Sequence, residues 1–331
     1  MFLFASLPVE KAPEALNLIS HKERQACLSK MFIADARMAL GSALLKRLFV
    51  SESLGIPWHD VKFTKRGDPV HGKPCVLLPD GVSSPLDFNI SHQAGLVALI
   101  GWNGTSKPIS SESVGENDPI HVGADIVCVN ERDDWRNIDL EGFDGWIDIY
   151  EEIFSEEERW DMKFNVDSVT LLDGQILTAE EIGRHDRCLR KDVPLTVTRM
   201  NGQQVTFNSD LLLEAKLRRF YTFFCYKEAY IKLAGEALLA PWLKQLEFHN
   251  VKSPKAGTVA RCSTHGTWGE RIDDVEILMR GNKVENVKMV IQAFEENFMF
   301  ATAVQGNSKT EIPPFEKLDL EHDILAVANM A

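Results

Sequence analysis

The run Phe223-Phe224-Cys225-Tyr226-Lys227-Glu228-Ala229-Tyr230-Ile231-Lys232, continuing into Leu233-Ala234-Gly235, restricts the fold more than any other part of the chain. Wound at 3.6 residues per turn, it gathers Phe220, Phe223, Phe224, Ile231 and Ala234 on one apolar face, with Lys227 in the middle of that face. Glu228 lies beside the stripe and Lys232 one turn further on, so three ionisable groups line the edge of a surface that must be buried. A snorkelling lysine and an ordinary i,i+4 Glu–Lys pair account for them equally well, and such a pair is worth only about 0.2–0.5 kcal/mol.

With 331 residues, 44% of them hydrophobic and 26% charged, the chain is globular and long enough for two core-bearing units. It contains no apolar run of membrane-spanning length, and the stretch from Met1 to Leu7 lacks the basic flank and long apolar region of a secretory signal. A soluble, non-secreted chain is expected. Cys27, Cys75, Cys128, Cys188, Cys225 and Cys262 form no CxxC pair, which fits reduced thiols in the cytoplasm. The lone Cys262/His265 spacing is read as chance. A net charge of −13 argues against a general nucleic-acid binder, because phosphate backbones demand a positive surface. Residues 22–73 nevertheless hold ten Lys/Arg against five Asp/Glu. That basic segment suits a small polyanion, although a solvated helix face explains it as well.

Along the chain, Ser20 and Glu23 form a capping box that starts a helix. A second helix runs from Asp35 with Leu40, Leu44, Leu45, Leu48 and Phe49 on one face, Arg37 and Lys46-Arg47 on the other, and Gly55 and Pro57 at its end. Phe88-Asn89-Ile90-Ser91-His92 reads as a strand. The tight connection Gln93-Ala94-Gly95 leads into the apolar strand Leu96-Val97-Ala98-Leu99-Ile100, so Ser91, His92 and Gln93 sit where side chains can face a ligand. The Gly/Ser/Asn/Pro-rich stretch 103–119 is placed as a domain boundary. In the next strand, which begins at His121, Asp125 is a carboxylate in an otherwise apolar element. It must meet a cation, a metal or several amides, and nothing local supplies one. Phe154-Ser155-Glu156-Glu157-Glu158 opens another helix, with capping assigned to the first two acids and Glu158 left free. Residues 161–216 read as an inserted, irregular flap containing one hairpin, with a type I′ turn at Asn201-Gly202. Strands are expected at 272–279, 286–294 and 298–304, and a tail from Gly306.

Five motifs in order, Gly72-Lys73-Pro74, Phe88-Asn89-Ile90-Ser91-His92, Val122-Gly123-Ala124-Asp125, Phe154-Ser155-Glu156-Glu157-Glu158 and the segment from Phe224 to Lys232, resemble those of the surfactin-type 4′-phosphopantetheinyl transferases, in particular the broad-specificity fungal enzymes. The resemblance covers nearly the whole chain. It departs at Phe224, where the family has tryptophan, at Val127, where bacterial members carry a third acidic metal ligand, and in the long spacing between Glu158 and Lys227. It implies an α+β monomer of two similar halves related by a pseudo-twofold axis, each a small sheet with a long helix packed on it. The halves would be residues 1–120 and 121–305, with the insertion at 161–216 and a tail at 306–331.

The implied reaction moves the phosphopantetheine arm of coenzyme A to a serine of an apo acyl or peptidyl carrier protein, and 3′,5′-ADP leaves. Such chemistry is largely positioning and charge neutralisation. Mg²⁺ would take Asp125 and Glu228, with Gln93 holding a coordinated water. Glu158 is the expected base, Lys227 the neutralising cation and Lys232 a pyrophosphate contact, while Arg37, Lys73 and His92 would hold the 3′-phosphate and ribose end and Ser91 would be a further coenzyme A contact. Neither a nucleic acid nor a membrane is an expected partner. Two other readings stay open: a coenzyme A-dependent acyltransferase with His92 as base, and a non-catalytic carrier-binding protein.

Overall fold

The structure is a computed structural model that describes residues 1–5, 9–66, 72–78, 84–104, 120–129, 131, 133–236, 240–257, 266–306 and 310–330. Most of the boundary stretch 103–119, together with Cys262 and His265, lies outside the described residues.

Two four-stranded sheets organise the chain. The N-terminal part supplies β1 (Phe2–Ala5), helices α1 (Ala12–Asn17), α2 (His21–Leu28) and α3 (Ile33–Leu54), the hairpin β2 (Phe63–Arg66) and β3 (Lys73–Val76), then β4 (Leu86–Gln93) and β5 (Leu96–Asn103). Ser20 caps α2 in the expected box with Glu23, and Gly55, in the left-handed region at φ 63°, ends α3. Between β4 and β5, Ala94 (φ 47°) and Gly95 (φ 86°) both take positive φ, the two-residue turn whose twist matches the flanking strands. α3 lies across this sheet and buries Leu40, Leu44, Leu45, Leu48 and Phe49 against Phe88, Val97 and Leu99.

β6 (His121–Cys128) opens the second half, followed by α4 (Asp134–Asp148) and α5 (Glu156–Phe164). The segment 161–216 is more ordered than expected. It holds β7 (Ser168–Thr170), β8 (Ile176–Thr178), α6 (Ala179–Ile182), β9 (Pro194–Thr198) and β10 (Gln204–Asn208), and closes its own core of Val169, Leu177, Ile182, Leu195, Val197 and Leu212. Its last residues are the beginning of α7 (Ser209–Ala234), so the expected insertion boundary cuts through a helix. The Asn201-Gly202 turn is also not type I′. Only Gly202 has positive φ, and the Gly202 amide donates to the Arg199 carbonyl at 2.8 Å inside an Arg199–Gln203 pair, which makes a three-residue loop with a glycine bulge.

Next come β11 (Leu246–His249), β12 (Trp268–Ile272), β13 (Glu276–Met279), β14 (Asn282–Lys283), β15 (Val287–Phe294) and β16 (Phe298–Gln305). The run expected as one strand at 272–279 is thus two strands in different sheets, split at Asp273-Asp274-Val275. The second large sheet has the order β12-β15-β16-β6 and α7 across it. The segment expected as a tail contributes β17 (Glu316–Leu318), which pairs in parallel with β1 and gives the first sheet the order β17-β1-β5-β4, and ends in α8 (Ala326–Met330). Leu318, Leu320, Ile324 and Leu325 join the α3 core. The fold is therefore α+β, two sheet-and-helix halves, with no helix among the described residues long and apolar enough to cross a membrane.

Each half presents an edge strand to the other, and side chains join the two edges. Asp87, Asn89 and Ser91 project from one face of β4 and accept the backbone amides of Val122 (2.8 Å), Ala124 (3.0 Å) and Ile126 (3.2 Å) on β6. Behind β6, Gly123 allows α7 to approach: a Cβ there would sit inside van der Waals contact of the Ala229 carbonyl oxygen and the Leu233 amide nitrogen. Both obstacles are backbone and cannot swing aside. Gly123→Ala is therefore expected to destabilise by about 1–3 kcal/mol, the usual cost of overpacking, read as a lower denaturation midpoint. An unchanged midpoint would show that the β6–α7 contact is looser than described.

Candidate active site

Asp125 sits on β6 immediately behind the joining side chains, and the cation it requires arrives from α7. Its Oδ1 accepts from Ser91 Oγ at 2.9 Å and Lys232 Nζ at 2.6 Å, and Lys232 also donates to Ser91 Oγ at 3.0 Å. Burial alone would lower the Lys232 amine, but Asp125, and after it Glu228, outweigh that and hold it above its ordinary value. Glu228 is one turn before Lys232 on the same face of α7, so two carboxylates from different elements flank one ammonium. Asp125 Oδ2 receives no hydrogen bond among the described residues. That oxygen and the Glu228 carboxylate are hard donors of the kind a small divalent cation takes, and they fit Mg²⁺.

The opposite face of β4 carries Phe88 and Ile90 into the α3 core, and His92 emerges at its end, towards the first turns of α3. The Gly95 amide lies 3.3 Å from Met38 Sδ, which fixes the turn against that helix. Desolvation first, and then the positive charges of Lys232, Lys30 and Lys46 over the opposing Asp35, push the His92 imidazole below its usual value. Arg37 is half-buried with its Nε unbonded, and Lys46 has an aromatic ring, Phe63, at 5.3 Å. Lys30 and Lys46 were not singled out as site residues from sequence. Their place in a locally basic segment was the only signal. Arg47, next to Lys46, is instead spent on the core, bound to Glu23 and to the Trp58 and Val61 carbonyls. Gln93, two residues beyond Ser91 on the same strand face, bonds Glu131.

Three expected site residues are not brought to this group. Lys73 is buried and bonded to Asp87 and to the Val122 carbonyl (2.7 Å), so it fastens the two halves rather than facing a phosphate. Lys227, wholly inaccessible, points away from Asp125; its ammonium donates to the carbonyls of Ile153 (3.0 Å), Leu243 (2.9 Å) and Leu246 and forms an ion pair with Glu158 Oε2 (2.9 Å). Glu158, 3% exposed, is the residue engaged in capping: Ser155 N donates to its Oε2 at 3.0 Å and Phe248 N to its Oε1 at 3.0 Å. The reading that left Glu158 free and gave capping to Glu156 and Glu157 is corrected, because the box closes on the third helical residue. Burial raises the Glu158 carboxyl and lowers the Lys227 amine, against the attraction between them. Phe224 is buried beside Phe220 at 6.0 Å, so the aromatic position is a packing one.

The structure thus joins two sheet-and-helix halves through a seam that carries a carboxylate–lysine group, with Lys30, Lys46 and Lys232 near enough to His92 to act on its charge. Residues 9–103 match the family described as 4′-phosphopantetheinyl transferase, N-terminal. The chain is 64% identical over 320 residues to a 4′-phosphopantetheinyl transferase of Aureobasidium melanogenum, covering 97% of this chain and 92% of that one. It is 33% identical over 322 residues to the 4′-phosphopantetheinyl transferase NpgA of Emericella nidulans, covering 88% and 82%. A shorter match, 35% identical over 116 residues, 33% of this chain and 39% of the relative, joins it to the L-aminoadipate-semialdehyde dehydrogenase-phosphopantetheinyl transferase of Schizosaccharomyces pombe. The chain belongs to the 4′-phosphopantetheinyl transferase family, with fungal members among its relatives, and coenzyme A is the family's co-substrate.

The buried Glu158–Lys227 pair gives a direct prediction. Glu158→Gln keeps the shape but leaves the Lys227 ammonium without its counter-charge, at a cost of about 3–5 kcal/mol. Chemical denaturation should show that loss. A variant of native stability whose transfer rate collapses would instead make Glu158 the base.

Proposed function

We propose that this chain is a surfactin-type, broad-specificity transferase that moves 4′-phosphopantetheine from coenzyme A to a serine hydroxyl of apo carrier proteins, with 3′,5′-ADP as leaving group. The observation that supports it best is the meeting of Asp125, Ser91 and Lys232 at the seam, with Glu228 one turn away. Asp125 and Glu228 would hold Mg²⁺, and Gln93 would steady a coordinated water. Bound there, the metal supplies neutralising charge to the pyrophosphate. Lys232 turns its ammonium to the pyrophosphate. Arg37 and His92, with the N-terminal half (residues 1–120), take the 3′-phosphate end of coenzyme A, and the half formed by residues 121–305 carries the metal side. Glu158 and Lys227 act by positioning the α7 turn that bears Glu228. Carriers of fatty-acid, polyketide, nonribosomal-peptide or lysine-pathway type are the partners, and the enzyme works as a cytoplasmic monomer.

Incubation of an apo carrier domain with coenzyme A and Mg²⁺ should add one phosphopantetheine mass to the carrier, and chelation should stop it. An unmodified carrier, or transfer that survives complete chelation, would sink this reading. Asp125→Asn and Glu228→Gln should each lower kcat by about 10²-fold or more with coenzyme A still bound, as loss of a transition-state contact does. Native-like rates in either would remove it from the metal set.

His92 supplies a further test, with a defined sign. Its imidazole is held below the ordinary value in the free protein by burial and by the charges of Lys232, Lys30 and Lys46, which favours the neutral form. A bound phosphate favours the imidazolium and raises the value, so coenzyme A binding should take up a proton. Calorimetry near pH 6.5 should then give heats that change with the buffer's ionisation enthalpy, and His92→Ala should abolish the change. Buffer-independent heats in the wild type would take His92 out of the anion site.

A further inference from the structure

Leu246 and Phe248 of β11 are buried, Phe248 with its ring stacked on Tyr226 at 5.4 Å. By the two-residue period of a strand, Glu247 and His249 therefore share the opposite, half-buried face. The Phe248 amide donates to Glu158 Oε1 at 3.0 Å, which ties the first turn of α5 to β11. Glu157, one residue before that anchor, is exposed and reaches the same face: one ligand atom each of Glu157, Glu247 and His249 lie within 4.8 Å of one another. A single buried hydrogen bond thus fixes the backbone beneath all three side chains.

The charges of this group are unbalanced. Nearby carboxylates have cations of their own, Glu158 with Lys227, Asp148 with Arg159 and Lys163, and Asp161 with Arg219. Glu157 and Glu247 form no ion pair or hydrogen bond among the described residues. Lys227 feels the charge of Glu247 but directs its ammonium at Glu158 and three carbonyls. Two like charges held together call for a counter-ion, and a divalent cation matches them. The donor set narrows the choice. Zn²⁺ takes imidazole nitrogen and carboxylate oxygen together, whereas Mg²⁺ and Ca²⁺ prefer oxygen shells. Bonds of about 2.0–2.2 Å in a tetrahedron put donor atoms about 3.3 Å apart, so these three need to draw in by at most about 1.5 Å. Rotation of two glutamate side chains covers that distance. β13 supplies the support such a histidine needs. Glu276 stands directly opposite His249 in the β11–β13 register, with Cβ atoms about 4.5–5.5 Å apart on one face, and a carboxylate is the usual partner for the second nitrogen of a metal-bound imidazole.

We propose that Glu157, Glu247 and His249 form a Zn²⁺ site, its shell completed by water, that clamps the first turn of α5 to β11 beside the buried Glu158–Lys227 pair. It shares no residue with the Asp125 and Glu228 group at the seam, and it holds whether or not the transferase reading does. An ion that binds only the folded chain stabilises it by mass action, so the site serves as a metal staple for the α5–β11 joint.

The test uses the full-length protein, stripped of metal with a chelator, exchanged into excess Mg²⁺ and titrated with ZnCl₂ in a calorimeter. The wild type should bind one Zn²⁺ at this site, and Zn²⁺ should raise its melting temperature. His249→Ala and Glu247→Gln should each weaken Zn²⁺ binding about tenfold or more and remove that rise, and Glu276→Gln should weaken binding about tenfold, as loss of an outer-sphere partner does. Metal-free Glu247→Gln, relieved of one of two repelling carboxylates, should melt no lower than the metal-free wild type, so that lost binding is not lost folding. Asp125→Asn should keep wild-type Zn²⁺ affinity. Co²⁺ in place of Zn²⁺ should give weak visible bands without the strong near-ultraviolet absorption of a thiolate ligand. Wild-type Zn²⁺ affinity in both His249→Ala and Glu247→Gln would overturn the proposal, as would a wild type that binds no Zn²⁺. Binding lost in Asp125→Asn would move the ion to the seam, and thiolate absorption would move it to the cysteines; either result defeats the assignment.

Discussion

Val122, Ala124 and Ile126 hand their amides to Asp87, Asn89 and Ser91, and most of the molecule's organisation follows from that exchange. β6 and β4 are both sheet edges, and an edge strand carries unpaired amides that must find acceptors or water. Direct backbone pairing would have fused the halves into one continuous sheet. Side-chain acceptors at every second position of β4 satisfy the same amides while holding the strands further apart. The third of these acceptors, Ser91 Oγ, accepts from Ile126, donates to Asp125 and receives Lys232. One hydroxyl thus serves both the joint between the halves and the site, so the site's geometry is as fixed as the fold.

α7 distributes cations in the same economical way. Lys216 binds Asp186 at 2.7 Å, Arg219 binds Asp161 at 2.6 Å and Asp167 at 2.8 Å, Lys227 binds Glu158, and Lys232 binds Asp125. Together they fasten α5, through Glu158 and Asp161, the segments around Asp167 and Asp186, and β6 to the helix. Replacing such buried pairs with well-packed apolar groups is often neutral, but removing one partner is costly, so they select one arrangement more than they add net stability. Exposure separates structural from chemical members of the series. The Lys216, Arg219 and Lys227 side chains are 0–2% accessible, whereas that of Lys232 is 26% accessible. Only a cation that reaches solvent can reach a substrate.

These pairs also explain what the sequence disclosed and what it hid. The Ser20–Glu23 box, the Gly55 stop and the Ala94-Gly95 turn were legible because their chemistry is local, confined to four or five residues. The ordered motifs placed Ser91, Asp125, Glu228 and Lys232 in one reading, and the structure brings them to one seam. The first turns of α7 were not legible, because Glu214, Lys216, Arg218 and Arg219 look like solvated surface in sequence. The carboxylates that neutralise Lys216 and Arg219 lie 30–58 residues away, where no periodicity can reveal them. Lys73 and Lys227 misled for the same reason. A lysine in a motif is equally consistent with gripping a phosphate and with closing a buried joint until its partner is known. Glu158 failed on counting within a turn: three adjacent acids share a helix start, and only the third reaches back to the cap.

The charge distribution gives the site its remaining logic. A net charge of −13 with +5 in residues 22–73 leaves the rest of the chain at −18, an unfriendly field for a polyanion anywhere but at the basic rim. Two carboxylates at the seam would extend that repulsion into the site if they stood alone. Lys232 prevents this, since its ammonium is held on Asp125 with Glu228 close by, and both acids raise its affinity for the proton. In the proposed reading Asp125 and Glu228 would hold a divalent ion that would supply that neutralisation, and the partly exposed Lys232 ammonium would face the pyrophosphate. In that reading the same lysine would balance the two carboxylates of the ligand-free site and supply positive charge to the loaded one, a double role open to it because, of the four paired α7 cations, Lys232 is the one that reaches solvent.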